Sequence, residues 1–571
     1  MAWFHCRPST CVARWQIAVA QPAPAGLACG ILSGYISGMN TRIDHATVVT
    51  SRDGKVVTLT DTSITFSGGV IRHVGPTEAV RAAAAAARSV SPAELRGRPL
   101  GRILEAAGKI TRQQIDQALE LQRARHGVIG QTLVQLGYVT DADVDWALSV
   151  QAGRDAGPVP GSEPAEVIDA TGRLIIPGLI NTHHHLYQSL TRGMPEVQNV
   201  ELFDWLVNLY PIWERLDDRA LHAAATISLA ELLLSGCTTS VDHMYLFPCG
   251  SDVRLDSVVR AAGDLGMRIH ACRGSMTLGA SQGGLPPDRC VEQDDRVLAD
   301  CERVIAELHD PKPLAVCRID LAPCAPFNVT PELFDQVRQL ARERNVLLHT
   351  HIAETLDEQR YCLERFGVRP VEYLRQHDWL GPDVYLAHCV HLNREEIELF
   401  ARTGTGVAHC PSSNMRLGSG IAPIRAMLDA GVRVGLAVDG SSSNDGGNLL
   451  AEARQTLLLQ RVSGGAKALT VAEAFRLATV GGADVLCRPE LGRIEPGAAA
   501  DLVIYDANDV ALAGAVAHDP LGALVLCHPP RPLRVIVNGR TVVENGRITG
   551  VDLPKVVADF NQMVRDRFTG K

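Results

Sequence analysis

Between residues 174 and 445, strand-like apolar runs alternate with helix-like runs. Eight candidate strands can be counted, and they end near His185, His243, Arg273, Cys324, His351, His388, His409 and Asp439. Strands that alternate with helices form parallel sheets, and eight such units predict a (β/α)₈ barrel, an α/β fold. Because such barrels carry their active sites at the carboxyl ends of the strands, these end residues are the first candidates for function.

The segments outside the barrel predict three further parts. Short β-rich runs at both ends of the chain are expected to form one small β-sandwich, while 96–153 interrupt the pattern. Residues 1–38 are predicted to be a disordered leader, or to follow an upstream start codon with Met39 as the functional start. The β-sandwich is predicted at 39–90, 165–176 and 486–571, the inserted helical domain at 91–160, and the barrel at 177–485.

The inserted segment contains an internal repeat with a period of 29 residues, in which Leu100-Gly101 matches Ile129-Gly130. Apolar residues at helical spacing predict two short helices joined at a glycine in each copy, with the two copies packed together. The segment resembles the N-terminal domain of type II secretion and type IV pilus assembly ATPases. Some members of that family bind cyclic di-GMP through an Arg-Leu-Gly opening in each copy.

Here the two openings begin with Pro99 and Val128, so the arginine is missing from both. We therefore predict an inserted docking or spacer module, with a weak cyclic di-GMP contact as the alternative.

The composition excludes several classes of protein. An apolar content of 46% and a charged content of 21% are typical of water-soluble globular proteins. The net charge of -9, without a basic cluster, argues against a nucleic-acid partner, and no apolar run is long enough to cross a membrane. The 15 cysteines are irregularly spaced, which favours reduced core thiols in a cytoplasmic protein over a disulfide framework.

The first chemical motif is a His-x-His pair. His183 and His185 follow the apolar run Leu174–Ile176, and alternate residues of a strand project from one face. Two converging imidazoles suit a divalent metal such as zinc. The pair alone is equally compatible with a His-rich loop that binds no metal, so the interpretation depends on the later strand ends.

Those later strand ends complete the candidate site. His351, on the fifth strand, is the predicted third ligand, and Glu354 is expected to shuttle protons. His388, on the sixth strand, would polarise the attacking hydroxide. Asp439 follows a buried apolar run, where a carboxylate is costly unless it binds a metal or a proton, so we assign it as fourth ligand and second proton acceptor. The alternative is that the strand histidines are satisfied by their neighbours and that Glu354 is a helix N-terminal charge.

The combined pattern resembles the amidohydrolase superfamily, in its mononuclear-metal deaminase branch, over about 40–90 and 165–550. The resemblance implies one Zn²⁺, with Fe²⁺ or Mn²⁺ as alternatives, and also implies the β-sandwich. Residue by residue, it implies zinc ligands at His183, His185, His351 and Asp439, and a general acid/base and a hydroxide-orienting histidine at Glu354 and His388.

Several stretches, such as 181–192 and 273–287, are similar to 8-oxoguanine deaminases. This similarity implies conversion of 8-oxoguanine to uric acid and ammonia, with Gln188 hydrogen-bonded to the purine and Arg273 in contact with a ring carbonyl. Alternatively, Gln188 caps a helix and Arg273 pairs with an acid at the barrel rim.

Other functions stay open as well. Hydrolases of s-triazines, pterins or guanine share this scaffold, because selectivity depends on the loops. A signalling protein that binds cyclic di-GMP and carries an inactive barrel is the alternative from a different class. A homo-oligomer that acts on a small heterocyclic molecule is the expected assembly.

Overall fold

The computed structural model describes residues 40–88, 92–125, 127–136, 138–154, 166–528 and 530–569. The predicted leader at 1–38 lies outside the described residues. Among those described, no helix is both long and apolar enough to cross a membrane. The cysteines within these ranges are free thiols, and most of them are buried.

The N-terminal part forms five strands of a sheet: β1 (Thr41–Arg52), β2 (Lys55–Ser67), β3 (Val70–Pro76), β4 (Glu166–Asp169) and β5 (Arg173–Pro177). β1 to β3 form an antiparallel meander, and β1 also runs parallel to β4 and β5. Asp53 and Gly54 connect β1 to β2 with φ angles of 47° and 76°. Positive φ at both positions is what a tight hairpin turn requires.

A helical insert lies between β3 and β4. Its helices are Leu100–Ala106, Arg112–Arg125, Ile129–Gln135 and Asp141–Gln151, preceded by a helix at Thr77–Arg88 and a short 3₁₀ helix at Pro92–Leu95. The insert has its own core, which includes Ile103, Leu104, Ala118, Leu133 and Ala147. Arg72 fastens it to the sheet, because Nη1 donates to the carbonyl of Tyr138 at 2.5 Å. The predicted small α-helical insert is therefore present in the fold.

Eight parallel strands form the barrel: β6 (Leu179–Asn181), β7 (Cys237–Met244), β8 (Arg268–Ser275), β9 (Cys317–Pro323), β10 (Leu348–Ile352), β11 (Val384–His388), β12 (Gly406–His409) and β13 (Arg433–Leu436). Each strand pairs with the next in sequence. The backbone N–H of Thr182 donates to the carbonyl of Leu436 at 2.9 Å, which links the last strand to the first. The predicted (β/α)₈ barrel is confirmed.

Helices follow the barrel strands: Leu202–Trp213, Asp218–Leu234, Asp256–Leu265, Asp294–Leu308, Pro331–Arg344, Leu356–Phe366, Pro370–Gln376, Arg394–Thr403, Pro411–Arg416, Ile424–Ala430, Leu449–Gly464, Val471–Ala478 and Val480–Val485. Every residue of β7 and β8 is buried. Strands that are covered on both faces in this way carry no alternation of apolar and polar residues, which is usual in parallel sheets.

Four later strands complete the first sheet: β14 (Leu502–Asp506), β15 (Arg534–Val537), β16 (Arg540–Glu544) and β17 (Arg547–Ile548). β14 pairs antiparallel with β5, so the nine-stranded sheet has the order β17-β16-β15-β14-β5-β1-β2-β3, with β4 against β1. The remaining helices are Ala515–His518, Pro520–Leu526 and Leu553–Arg567. Strands from both ends of the described chain thus share one sheet.

The connection between the apolar run Leu174–Ile176 and the His-x-His motif differs from the prediction, because two strands rather than one precede the motif. The apolar run Leu174–Ile176 belongs to β5 of the nine-stranded sheet, and the first barrel strand is the short β6. Gly178 lies between them, where a Cβ would come within 2.0 Å of Oγ1 of Thr238. His183 and His185 therefore do not continue the strand that contains Leu174–Ile176; they follow β6, which ends at Asn181.

Candidate metal centre and active site

The four predicted metal ligands converge at the carboxyl ends of three strands: His351 is the second-last residue of β10, while His183 and His185 follow β6 and Asp439 follows β13. Nε2 of His185 lies 3.0 Å from Nε2 of His351. Oδ1 of Asp439 lies 3.4 Å from Nε2 of His183 and 3.5 Å from Nε2 of His185. All four side chains are buried. Their donor atoms therefore surround one small volume.

The outer nitrogens of two imidazoles fix their orientation. Nδ1 of His185 donates to the carbonyl of His243, and Nδ1 of His351 donates to the carbonyl of Cys324, both at 2.7 Å. A carbonyl can only accept, so each proton lies on Nδ1 and each lone pair on Nε2. Burial lowers the pKa of His185, and it lowers that of His183 and His351 well below 6.5. The three imidazoles are accordingly neutral and suited to bind a metal.

Asp439 supplies the negative charge of the cluster. It lies three residues beyond β13, with a φ of 64°, and its N–H donates to the carbonyl of His183 at 3.2 Å. Burial alone raises the pKa of Asp439, but its contacts with His183 and with the nearby His388 lower it well below 3.8. The side chain is therefore a carboxylate at neutral pH.

This set of donors fits a divalent metal. Within the described part of the chain, Nε2 of His183 is buried without a hydrogen-bond partner. The Nε2 atoms of His185 and His351 face each other with no proton between them. Neutral imidazoles and a carboxylate are the ligands that zinc binds in proteins. A cation between these atoms would satisfy all of these lone pairs.

Glu354 and His388 lie beside this cluster. Nε2 of His388 is 3.6 Å from Oε2 of Glu354 and 3.9 Å from Oδ2 of Asp439, while its Nδ1 donates to Oδ1 of Asn414 at 2.9 Å. Burial raises the pKa of Glu354 to about 7, although His388 opposes the rise. Burial lowers the pKa of His388, but Glu354 and Asp439 raise it overall above 6.5. A carboxyl group with a pKa near neutrality can both accept and deliver a proton.

A cavity with about 420 Å³ of empty space opens onto these groups. Its apolar wall comes from the helix Leu202–Trp213 and from two aromatic residues beyond other strands. These wall residues are Leu202, Trp205, Leu206, Tyr245 and Phe327. His185, His351, Glu354, His388 and Asp439 line the same cavity. Flat aromatic walls beside a hydrolytic cluster suit a planar ring system.

Gln188 also reaches this cavity, on a 3₁₀ helix at Leu186–Thr191. Its side chain is buried, and its Oε1 has no hydrogen-bond partner among the described residues. Gly440 makes room for it, since a Cβ there would lie 1.9 Å from that oxygen. Gln188, the residue predicted to contact the substrate, therefore lies at the cavity, and its Oε1 is free to accept a hydrogen bond from a ligand.

Arg273 does not line the cavity. Its Nε donates to Asp300 at 2.6 Å, its Nη2 donates to Glu292 at 2.7 Å, and the guanidinium lies 3.7 Å from the ring centre of Phe247. This geometry matches the alternative in which Arg273 pairs with acids. The physical reason is its position within β8, where the side chain points towards the helix Asp294–Leu308 that carries Asp300.

Sequence reasoning missed several cavity residues. Asn328 is buried, and its Oδ1 has no partner within the described ranges. It lies in an irregular segment after β9, where no periodicity identifies it. Tyr245 could have been found, because it lies two residues after His243 and continues the alternation of β7. In the sequence, His243 is only the end of a strand and has no predicted role. In the structure its ring stacks on that of the predicted ligand His351, with the ring centres 4.6 Å apart.

Residues 174–542 match the amidohydrolase family. This range contains the whole barrel and every side chain of the cluster. The chain belongs to the amidohydrolase family. It is accordingly a hydrolytic enzyme that acts on carbon–nitrogen bonds.

This amidohydrolase is 47% identical to the 8-oxoguanine deaminase of Pseudomonas aeruginosa over 421 residues, which cover 73% of the chain and 93% of that protein. It is 40% identical to the hydroxydechloroatrazine ethylaminohydrolase of Pseudomonas sp. strain ADP over 395 residues, which cover 68% of this chain and 81% of that protein. The zinc complex of the atrazine chlorohydrolase of Arthrobacter aurescens superposes with a TM-score of 0.73 at 32% identity, over 92% of this chain and all of that one. That complex and the histidine cluster support a divalent metal here.

Proposed function

We propose that this amidohydrolase is a zinc-dependent deaminase that converts 8-oxoguanine and water to uric acid and ammonia. The observation that carries the proposal is that Glu354, with its pKa near 7, shares one aromatic-walled cavity with His185, His351 and Asp439 of the metal cluster. The identity with the 8-oxoguanine deaminase of P. aeruginosa supports the substrate.

In this proposal, His183, His185, His351 and Asp439 hold the metal. A divalent metal supplies a hydroxide nucleophile at neutral pH by lowering the pKa of water. His388 and Asp439 orient the attacking oxygen towards the carbon that bears the amino group. Glu354 takes a proton from the water and delivers it to the adjacent ring nitrogen as the new C–O bond forms.

The same residues complete the exchange. The carbon–nitrogen bond breaks when the amino group receives the second proton of the water, delivered through Glu354 and Asp439, and ammonia leaves. The ring keeps the oxygen as a carbonyl and the first proton as an N–H, so that atoms and charge balance. Both carboxyl groups return to their starting state.

Two buried acceptors would orient the purine. Oε1 of Gln188 and Oδ1 of Asn328 line the cavity and have no partners in the described segments. A buried acceptor that stays unpaired costs about 1–3 kcal/mol, so a ligand that presents N–H groups is favoured. 8-Oxoguanine carries such groups on both of its rings. The predicted contact of Arg273 with a ring carbonyl is not part of this arrangement.

A substrate panel tests the proposal. Protein loaded with zinc should release ammonia from 8-oxoguanine faster than it releases ammonia from guanine or isoxanthopterin, and faster than it releases an alkylamine from hydroxyatrazine. The similarity to hydroxydechloroatrazine ethylaminohydrolase makes hydroxyatrazine the sharpest competitor. Undetectable turnover of 8-oxoguanine beside clear turnover of another compound would reject the substrate but keep the reaction class. Metal analysis of protein purified without added metal would show whether zinc, iron or manganese occupies the cluster.

For the insert, we infer a docking or spacer role. Pro99 and Val128 stand immediately before the helices Leu100–Ala106 and Ile129–Gln135, at the positions where an arginine would open each repeat. Neither side chain can bind a phosphate by charge. Calorimetric titration with cyclic di-GMP should show no binding, and micromolar affinity would overturn this inference.

A cytoplasmic location and a homo-oligomer also belong to this proposal. The free thiols of the described cysteines support a reducing compartment. Sedimentation of the purified protein would measure the assembly, and a monomer at micromolar concentration would reject the oligomer.

A further inference from the structure

His349 is buried directly behind the metal cluster, on the strand β10 that also carries His351. Its Nε2 lies 2.7 Å from Nδ1 of His183. Its Nδ1 lies 2.8 Å from the backbone carbonyl of Tyr385. One histidine therefore bridges a side chain of the cluster and the backbone of the neighbouring strand β11.

The protons of this chain of contacts can be assigned. A backbone carbonyl can only accept, so Nδ1 of His349 carries a proton. Nε2 of a neutral His349 is then an acceptor, and the contact of 2.7 Å requires Nδ1 of His183 to donate. Nε2 of His183 is left with a free lone pair, and it is the atom that lies 3.4 Å from Asp439. A doubly protonated His349 would place an uncompensated charge in a fully buried site, which is costly.

The position of His349 is itself well fixed. Its ring stacks on that of Tyr385, with centres 4.0 Å apart and planes at 11°. The Tyr385 hydroxyl donates to Asp320 at 2.9 Å, and Asp320 also contacts Nδ1 of His270 at 3.1 Å. The acceptor that faces His183 is thus held from the interior of the barrel, on the side away from the cavity.

We propose that His349 is a positioning residue that holds His183 in the tautomer with its proton on Nδ1, so that Nε2 is available as a metal ligand. His185 and His351 use backbone carbonyls for this purpose, whereas His183 uses a second imidazole. This inference rests on the proposed metal centre but not on the identity of the substrate.

Two substitutions test it on the full-length protein. His349→Gln keeps an acceptor that can reach His183, whereas His349→Phe keeps a ring against Tyr385 and removes the acceptor. Zinc affinity is measured by competition with a chromogenic chelator, and folding by thermal unfolding. We expect the Phe variant to bind zinc about 10–100-fold more weakly, which is the usual loss when the partner of a metal-bound histidine is removed. The Gln variant should recover most of the affinity.

His377→Phe is the matched control. It removes a half-buried imidazole that contacts Asp335 at 3.1 Å and belongs neither to the cluster nor to the network behind His349, so zinc affinity should be unchanged. Wild-type affinity in His349→Phe, or equal losses in the Gln and Phe variants, would overturn the proposal.

A neutron structure of the zinc-loaded wild type tests the same point without a variant. It should show a proton on Nδ1 of His183 and none on Nε2 of His349, and the reverse assignment would be decisive against the proposal. If the wild type binds no zinc, the metal centre itself is wrong. A failure to turn over 8-oxoguanine would reject only the substrate.

Discussion

Nε2 of His388 lies 3.6 Å from Oε2 of Glu354, while Oε1 of the same carboxyl group is buried and has no hydrogen-bond partner among the described residues. One oxygen of Glu354 therefore faces a polarising imidazole, and the other is free to contact a ligand. This division suits a group that takes a proton on one side and delivers it on the other.

We expect Glu354→Gln to lower kcat by about 10²–10⁴-fold, because general acid/base catalysis contributes that much. Zinc content should stay at the wild-type value, since Glu354 is not among the proposed ligands. Glu364→Gln, an exposed position on the helix Leu356–Phe366, is the matched control and should be fully active. Wild-type turnover in Glu354→Gln would show that the proton shuttle lies elsewhere.

Gly440→Ala should impair substrate binding. The new Cβ would lie 1.9 Å from Oε1 and 2.3 Å from Cδ of Gln188, so Gln188 must leave its position. The loss of one ligand hydrogen bond, about 1.5 kcal/mol, corresponds to a rise in KM of about tenfold. Gly446→Ala is the control in the same loop, because its Cβ would meet nothing closer than 3.8 Å. An unchanged KM in Gly440→Ala would remove Gln188 from the substrate site.

Metal removal should lower both activity and stability. Dialysis against a chelator leaves the lone pairs of His183, His185 and His351 buried and unpaired, and zinc at a hundred times its Kd would add about 2.7 kcal/mol of stability. Scanning calorimetry with and without zinc measures the shift in Tm. Calcium at the same concentration is the control ion, because it prefers oxygen ligands. Equal Tm values with zinc and with calcium would contradict a zinc site.

Arg273→Met should destabilise the fold and leave KM for the substrate unchanged. The substitution leaves Glu292 and Asp300 without their buried partner, and we expect a loss of about 2–4 kcal/mol in the free energy of unfolding. Urea unfolding and steady-state kinetics measure the two effects separately. A large rise in KM at wild-type stability would favour the predicted contact with a ring carbonyl instead.

The ion pair of Asp300 should make stability depend on pH in acid. Burial raises the pKa of Asp300, but Arg273 and Arg303 lower it overall below 3.8. A carboxyl group whose pKa is lower in the folded state stabilises the protein above its unfolded pKa of about 3.9, and this contribution is lost as the pH falls through the folded value. Urea unfolding should therefore show that wild type and Asp300→Asn differ most near neutral pH and that the difference shrinks as the pH falls below 3.8. A difference that grows in acid would reverse this sign.

Much of the fold and of the candidate site could be predicted from the sequence, because both depend on local patterns. The alternation of apolar runs and helices predicts the barrel, and the polar residues at strand ends predict where the cluster lies. The exception is the segment before the His-x-His motif, since an apolar run shows that a strand is buried but not that this strand ends at Pro177 and that a second strand begins at Leu179. The role of Arg273 could not be decided either, because its acidic partners lie 19 and 27 residues away.

What the sequence determined by itself is the kind of chemistry: imidazoles and carboxylates near the ends of several of eight predicted strands, in an order that resembles the amidohydrolases. Only the tertiary structure decided which of these side chains meet, and which residues support them from behind. His349 and His351 are two residues apart on one strand, and nothing local distinguishes a ligand from the partner of a ligand. That distinction arises from contacts with β6 and β11, because hydrogen bonds between distant strands form only when the barrel closes.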